Sequence, residues 1–208
     1  MTTYNSTFRG YTSRLYSRGL LDTDVEHVKR ILYDWEDWPL TDEKAESLTR
    51  VWAKKTSFWQ APFFEGMERQ EVTTLFCLKS NNLPVVINRG VQQDTTHEDL
   101  FTATCPDHRN QGYAEEASKL NAIVGWNYFN LRKSVLSERV DMNSLLGAEH
   151  PRNNITGTIE TAKNRYTMPD MKKTQMTIEQ WNVFKNSSIY SDWAIECTLY
   201  PVYPGDPL

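Results

Sequence analysis

Nowhere in its 208 residues does the chain carry an apolar run long enough to cross a bilayer. Basic clusters are missing too. Lys and Arg are scattered, with no block of five or more, and the net charge is −4. A general electrostatic grip on nucleic-acid phosphates is therefore not favoured. Cysteine is scarce. Cys77, Cys105 and Cys197 are odd in number and unclustered, so they read as reduced thiols rather than a disulfide framework. The four histidines show no metal-ligand spacing with them, and no metal site is expected. The opening MTTYNSTFRG lacks the apolar core of a signal peptide. These absences predict a cytoplasmic chain with no membrane and no nucleic-acid partner. There is no internal repeat. Aromatic residues, in contrast, are plentiful, with seven Trp and ten Tyr. At helical spacing such rings serve as core more often than as platforms for bases.

Hydrophobic periodicity orders the chain. Residues 4–16 read as a first strand. A helix follows, with Val25, Val28, Ile31, Leu32 and Trp35 on one face, a capping box of Thr23 with Glu26, and Pro39 as its stop. A second helix spans 41–55, with Ala45, Leu48, Val51 and Trp52 on its apolar face. The aromatic stretch 56–70 reads as a loop packed over the core. Strands are expected at 72–79 and 83–91, joined by the turn signal Ser80-Asn81-Asn82, and again at 98–105. A helix over 112–130 carries Ala117, Leu120, Val124 and Tyr128 in one stripe. Then come a strand at 134–140, a very short helix at 143–147, strands at 154–166 and 175–184, and a last strand within 193–200. Pro201, Pro204 and Pro207 make the end irregular. This predicts one domain over 1–184, with a C-terminal strand and Pro-rich tail, 185–208, packed on it.

The chain is organised around FTATCPDHRNQGYAEEASKL, residues 101–120, which reads as strand, polar turn and helix start. A helix N-terminus exposes unpaired N–H groups and a partial positive charge, so it suits an anion. Gly112 permits a sharp turn and a close approach to the backbone. Ala114 keeps the first helical turn open. Cys105 and His108 do not make a nucleophile and base, because no third orienting residue accompanies them and a Cys before Pro is explained by packing.

Arg109-Asn110-Gln111-Gly112-Tyr113-Ala114 resembles the R/Q-x-x-G-x-G/A phosphate-binding turn of the GCN5-related N-acetyltransferase (GNAT) family, and Pro106 fits the run that precedes it. The order of elements also resembles that family's. The resemblance covers residues 6–186. It implies an α/β (α+β) fold: a mixed, mostly antiparallel central sheet flanked by helices, with splayed parallel strands at the cofactor site. Acetyl-CoA would enter as co-substrate. Its pantetheine would pair with Thr102, Ala103 and Thr104, and its pyrophosphate would sit on the amides of Asn110, Gln111, Gly112, Tyr113 and Ala114, beside Arg109. Glu138 and Asn143 stand at the spacing of a Glu and a cofactor-touching Asn found in many members.

The implied reaction is acetyl transfer to a primary amine by direct attack in a ternary complex, which needs a base and an oxyanion donor. Candidate bases are Glu98, Asp99 and Glu138. Glu98 and Asp99 must face opposite ways along a strand. Where many members place a Tyr that acts as the acid, this chain has His150 before Pro151; His150 is the candidate acid for the leaving thiolate, and the departure puts the usual acid step in doubt. That departure, with the aromatic and Pro-rich tail, also admits a GNAT-like protein that binds or assembles without catalysis. The Asn-, Thr- and Tyr-rich composition would suit a viral protein. A homodimer is compatible with the sequence, and the acceptor amine is not specified by it.

Overall fold

The computed structural model describes residues 7–33, 40–55, 68–128, 130–139, 158–160, 171–196 and 198–202. Its strands are β1 (Thr7–Tyr11), β2 (Leu15–Gly19), β3 (Gln70–Leu78), β4 (Pro84–Gln93), β5 (Thr96–Thr104), β6 (Lys133–Arg139), β7 (Thr158–Glu160), β8 (Met171–Thr177) and β9 (Thr198–Val202). They form one mixed sheet in the order β7-β8-β6-β5-β4-β3-β2-β1-β9. All neighbours are antiparallel except β5 and β6, which run parallel. The helices are α1 (Val25–Ile31), α2 (Asp42–Lys55), α3 (Tyr113–Tyr128), α4 (Ile178–Lys185) and α5 (Ser188–Glu196). Among the described residues no helix is long and apolar enough to cross a membrane.

The two-residue side-chain period divides the sheet between two cores. Leu15, Phe76 and Val86 face α3, where they meet Ala117, Leu120 and Val124. Their chain neighbours Tyr16, Leu75, Cys77 and Ile87 face the other way, against Val28, Ile31 and Leu32 of the α1 segment and Trp52 of α2. Trp181 of α4 extends the first core by lying flat on Trp126, ring centroids 5.5 Å apart. Burying rings of this size dominates the stability of such a cluster. Both free thiols described, Cys77 and Cys105, are buried. Burial pushes the Cys77 thiol above its ordinary range, which keeps it protonated and inert.

Several elements differ from the sequence-based expectation. The first strand is a hairpin: Thr12 and Leu15 exchange backbone and hydroxyl bonds that turn β1 into β2. The capping box of Thr23 and Glu26 does not form. The residue before α1 is Asp24, and its carboxylate instead holds the Arg18 guanidinium, at 2.6 and 2.7 Å, and the Leu21 amide. The strand expected at 175–184 stops at Thr177, because Thr177 and Gln180 form a reciprocal capping box that starts α4. All of 193–196 belongs to α5, and the last strand is β9 at 198–202. Pro201 lies within β9, paired to Phe8 of β1, at the sheet's edge, where a residue without an N–H is tolerated. The loop at 56–67, the short helix at 143–147 and the Met168–Asp170 joint lie outside the described residues.

Candidate active site

The turn after β5 reverses the chain within a few residues. Pro106–His108 make one tight helical turn, and Arg109 returns to extended backbone. Asn110 and Gly112 then take positive φ, 58° and 78°, before α3 begins at Tyr113. Asn is among the few side-chain-bearing residues that visit this region readily, and Gly does so without strain. The Gly112 carbonyl already accepts from Glu116, so the helix is under way and the preceding amides are the ones left unpaired by it. Arg109 Nε donates to the Thr104 carbonyl at 3.2 Å, which fixes the end of β5. Gln111 Nε2 donates to the Asp107 carbonyl at 3.4 Å.

Beside the turn the sheet opens. β5 stays paired to β4 as far as Thr104, opposite Val86. Its parallel pairing with β6 runs only from Thr96–Lys133 to Asp99–Leu136. β6 meanwhile follows β8 to Arg139. The two strands therefore part after Asp99. Among the described residues no strand pairs with Thr102, Ala103 and Thr104 on the β6 side, and these half-buried residues line a gap that ends at the amide-lined turn. The parting coincides with a bulge. Gly90 pairs with Asp99 and Arg89 with Phe101, which leaves Leu100 as the extra residue.

Around that bulge Glu98 and Asp99 sit in different surroundings. Asp99 Oδ1 lies 3.1 Å from His97 Nε2 and accepts from Asn88 Nδ2 at 3.3 Å. The same Asn88 amide donates to Phe101 O and Thr102 Oγ1, so it fastens both sides of the bulge. His97 is buried and crosses Gly90, where a Cβ would come within 2.3 Å of its ring. Glu98 is 40 % exposed and holds the Lys173 ammonium of β8 at 3.2 Å. On the α2 side Arg89 bridges Glu71 at 2.5 Å and covers the Trp52 ring at 4.9 Å, while Phe101 leans on Trp52.

No protein-family model matches this chain, and no curated protein matches it in sequence. Solved structures do match. A GNAT-family acetyltransferase from Bacillus anthracis aligns with a TM-score of 0.62 and 14 % identity, over 82 % of this chain and 99 % of its own. A GCN5-related N-acetyltransferase from Brucella melitensis gives 0.64 and 12 %, over 89 % and 84 %. A mutant spermidine N-acetyltransferase from Vibrio cholerae gives 0.57 and 12 %, over 82 % and 97 %. The fold is that of the GCN5-related N-acetyltransferases.

Within this GNAT fold the segments named from sequence share one region. Thr102, Ala103 and Thr104 lead directly into the turn of Asn110 to Ala114, and Glu98 and Asp99 flank the point where the strands part. Glu138 lies in the backbone of β6, opposite Lys172 of β8. Asn143 and His150 lie outside the described residues. Sequence reasoning missed His97, which meets Asp99 two residues along β5, and Asn88, which reaches Asp99 only through the β4–β5 pairing. It also missed Arg14 and Glu116. Arg14 Nη1 donates to the Gln111 carbonyl at 2.9 Å, and its guanidinium lies over the Tyr113 ring at 4.4 Å. The only sequence hint was an Arg in a polar turn and a Glu early in a helix.

Proposed function

We propose that this protein is an acetyltransferase of the GNAT type, which moves an acetyl group from acetyl-CoA to a primary amine within a ternary complex. The observation that carries the reading is the parting of β5 from β6 after Asp99, immediately before a turn with Gly112 at φ 78°. A thioester arm extended along Thr102–Thr104 could take up the strand's unpaired backbone groups. A diphosphate would be held by the amides of Asn110 to Ala114, with Asn143 a further contact implied by family resemblance. At Gly112 the nearest atom to a Cβ would be Arg14 Nη2 at 3.5 Å, so a cation borders the turn.

The acceptor reaches its reactive form by losing a proton, and Glu98 is best placed to take it. Asp99 is engaged by His97 and Asn88 within the bulge. Glu98 is more exposed and already binds a primary alkylammonium, that of Lys173. An acceptor ammonium has the same chemistry and would exchange with it. Spermidine, the substrate class in the name of one structural relative, belongs to that class. Leu100, the extra residue of the bulge, is the candidate source of a backbone N–H for the oxyanion. Glu138, Asp99 and His150 are the remaining proton-transfer candidates.

The test is CoA release from acetyl-CoA in the presence of a panel of polyamines, amino acids and peptides. Glu98→Gln should lower kcat about 100-fold or more while acetyl-CoA affinity stays within about twofold. An unchanged rate in Glu98→Gln with a large loss in Glu138→Gln would move the base to β6.

A further inference from the structure

The Glu116 carboxylate is nine-tenths buried beneath the turn and collects donors from three successive residues of the β1–β2 hairpin. The Thr12 hydroxyl makes a short bond to it. Ser13 Oγ lies at 3.5 Å, the Arg14 amide at 3.1 Å, Arg14 Nε at 2.7 Å and Arg14 Nη2 at 2.6 Å. Arg14 thus has one edge clasped by Glu116, Nη1 bonded to the Gln111 carbonyl, and its flat face on Tyr113. These bonds use three of the five N–H donors of a guanidinium. The side chain is nonetheless 45 % exposed, and Nη2 stands at the open side of Gly112.

A buried carboxylate within the first turns of α3 opposes any anion on that helix's N-terminus. Arg14 removes that opposition and leaves one N–H on each terminal nitrogen for a further acceptor. We propose that Arg14 recognises the diphosphate of the coenzyme A thioester, and that Glu116 is the positioning residue that holds its fork in place. The proposal rests on the acetyl-CoA reading above and adds to it a side chain that selects the phosphate-bearing end of the ligand. Fork pairing of guanidinium to phosphate is the strong, directional form of such contact.

The alternative is a clamp that only ties the hairpin to α3, and a ligand without phosphates separates the two. Acetyl-CoA and S-acetylpantetheine are titrated into the wild type, Arg14→Gln, Arg14→Lys and the double variant Arg14→Gln/Glu116→Gln, with Tm measured for each. Arg14→Gln should weaken acetyl-CoA by about tenfold or more and leave S-acetylpantetheine within about twofold. Arg14→Lys should recover part of the loss. The double variant should regain the Tm lost on stranding Glu116, yet still bind acetyl-CoA about tenfold more weakly. Equal weakening of both ligands, or a double variant with wild-type affinity, overturns the proposal. Should Arg14→Gln fail to fold, the comparison of Arg14→Lys and the double variant decides in the same way. A wild type that binds neither ligand would instead remove the acetyl-CoA reading itself, and this proposal with it.

Discussion

Single residues at the β4–β5 bulge have little room to change. Gly90 is required by its neighbour, since a Cβ there would lie 2.3 Å from His97 Cε1 and 2.7 Å from Nε2. Gly90→Ala should displace the imidazole, break its contact with Asp99, and destabilise the fold by about 1–3 kcal/mol, as overpacking does. Thermal unfolding checks this, and an unchanged Tm would show that the bulge accommodates the methyl group. Gly90 carries no turn signature, and His97 and Asp99 look like ordinary strand-end polar residues until β4 is laid beside them. Their meaning lies in cross-strand register, which the sequence does not print. Arg14 and Glu116 are still further apart, 102 residues, and become partners only when the hairpin and α3 converge. Gly112 differs, because its positive φ follows from local backbone chemistry and the sharp turn was readable from its motif.

Elements were legible where one signal acted alone. The runs giving β3, β4, β5 and α3 are long, strongly periodic and bounded by turn residues, and their positions agree with the sequence to within a few residues. Two capping signals went opposite ways. Thr23 and Glu26 have the spacing of a capping box, but Asp24 lies between them and its carboxylate is taken by Arg18, whose guanidinium burial disfavours while the Asp24 bond holds it firmly charged. Thr177 and Gln180 have the same spacing and do form one. There the apolar residues Met176, Trp181 and Phe184 suggested a strand, while all three are buried around the start and one face of α4. Thr177→Ala should cost about 1 kcal/mol by leaving helix N–H groups unsatisfied. For a chain of this size that lowers Tm by roughly 2–4 °C. A change below 1 °C would mean that packing of Trp181, not the cap, holds α4 in place.

For the whole molecule, topology arranges the chemistry. Because β8 returns between β6 and β7, β6 is held from one side and free to part from β5 on the other. Because β1 turns into β2 beside β3, the hairpin turn arrives at the start of α3. The element order pointed to this architecture, whereas helix α5 and the outer strand β9 extend it beyond the segment the resemblance covered. Global stability should also carry a proton-linked component from His27. Burial on α1 is the main cause that holds its pKa below the ordinary histidine value, so the unfolded chain binds the proton more readily. Stability is then complete above the unfolded value of about 6.5 and declines as pH falls below it. His27→Gln should flatten that decline between about pH 7 and 5 in denaturant titrations. Parallel curves for the two proteins would exclude His27 as a contributor.

The central claim is that the gap between β5 and β6, closed at one end by the Gly112 turn, holds acetyl-CoA. Calorimetric titration of acetyl-CoA into the wild type and Gly112→Val tests it most directly, with ATP as the control nucleotide. A β-branched residue at φ 78° is strained and projects into the turn. Acetyl-CoA but not ATP should bind saturably, with a stabilisation of about 2.7 kcal/mol at one hundred times Kd, and both should be lost in a Gly112→Val protein that still unfolds cooperatively. No binding by the wild type at millimolar acetyl-CoA, or equal affinity in the folded variant, would contradict it.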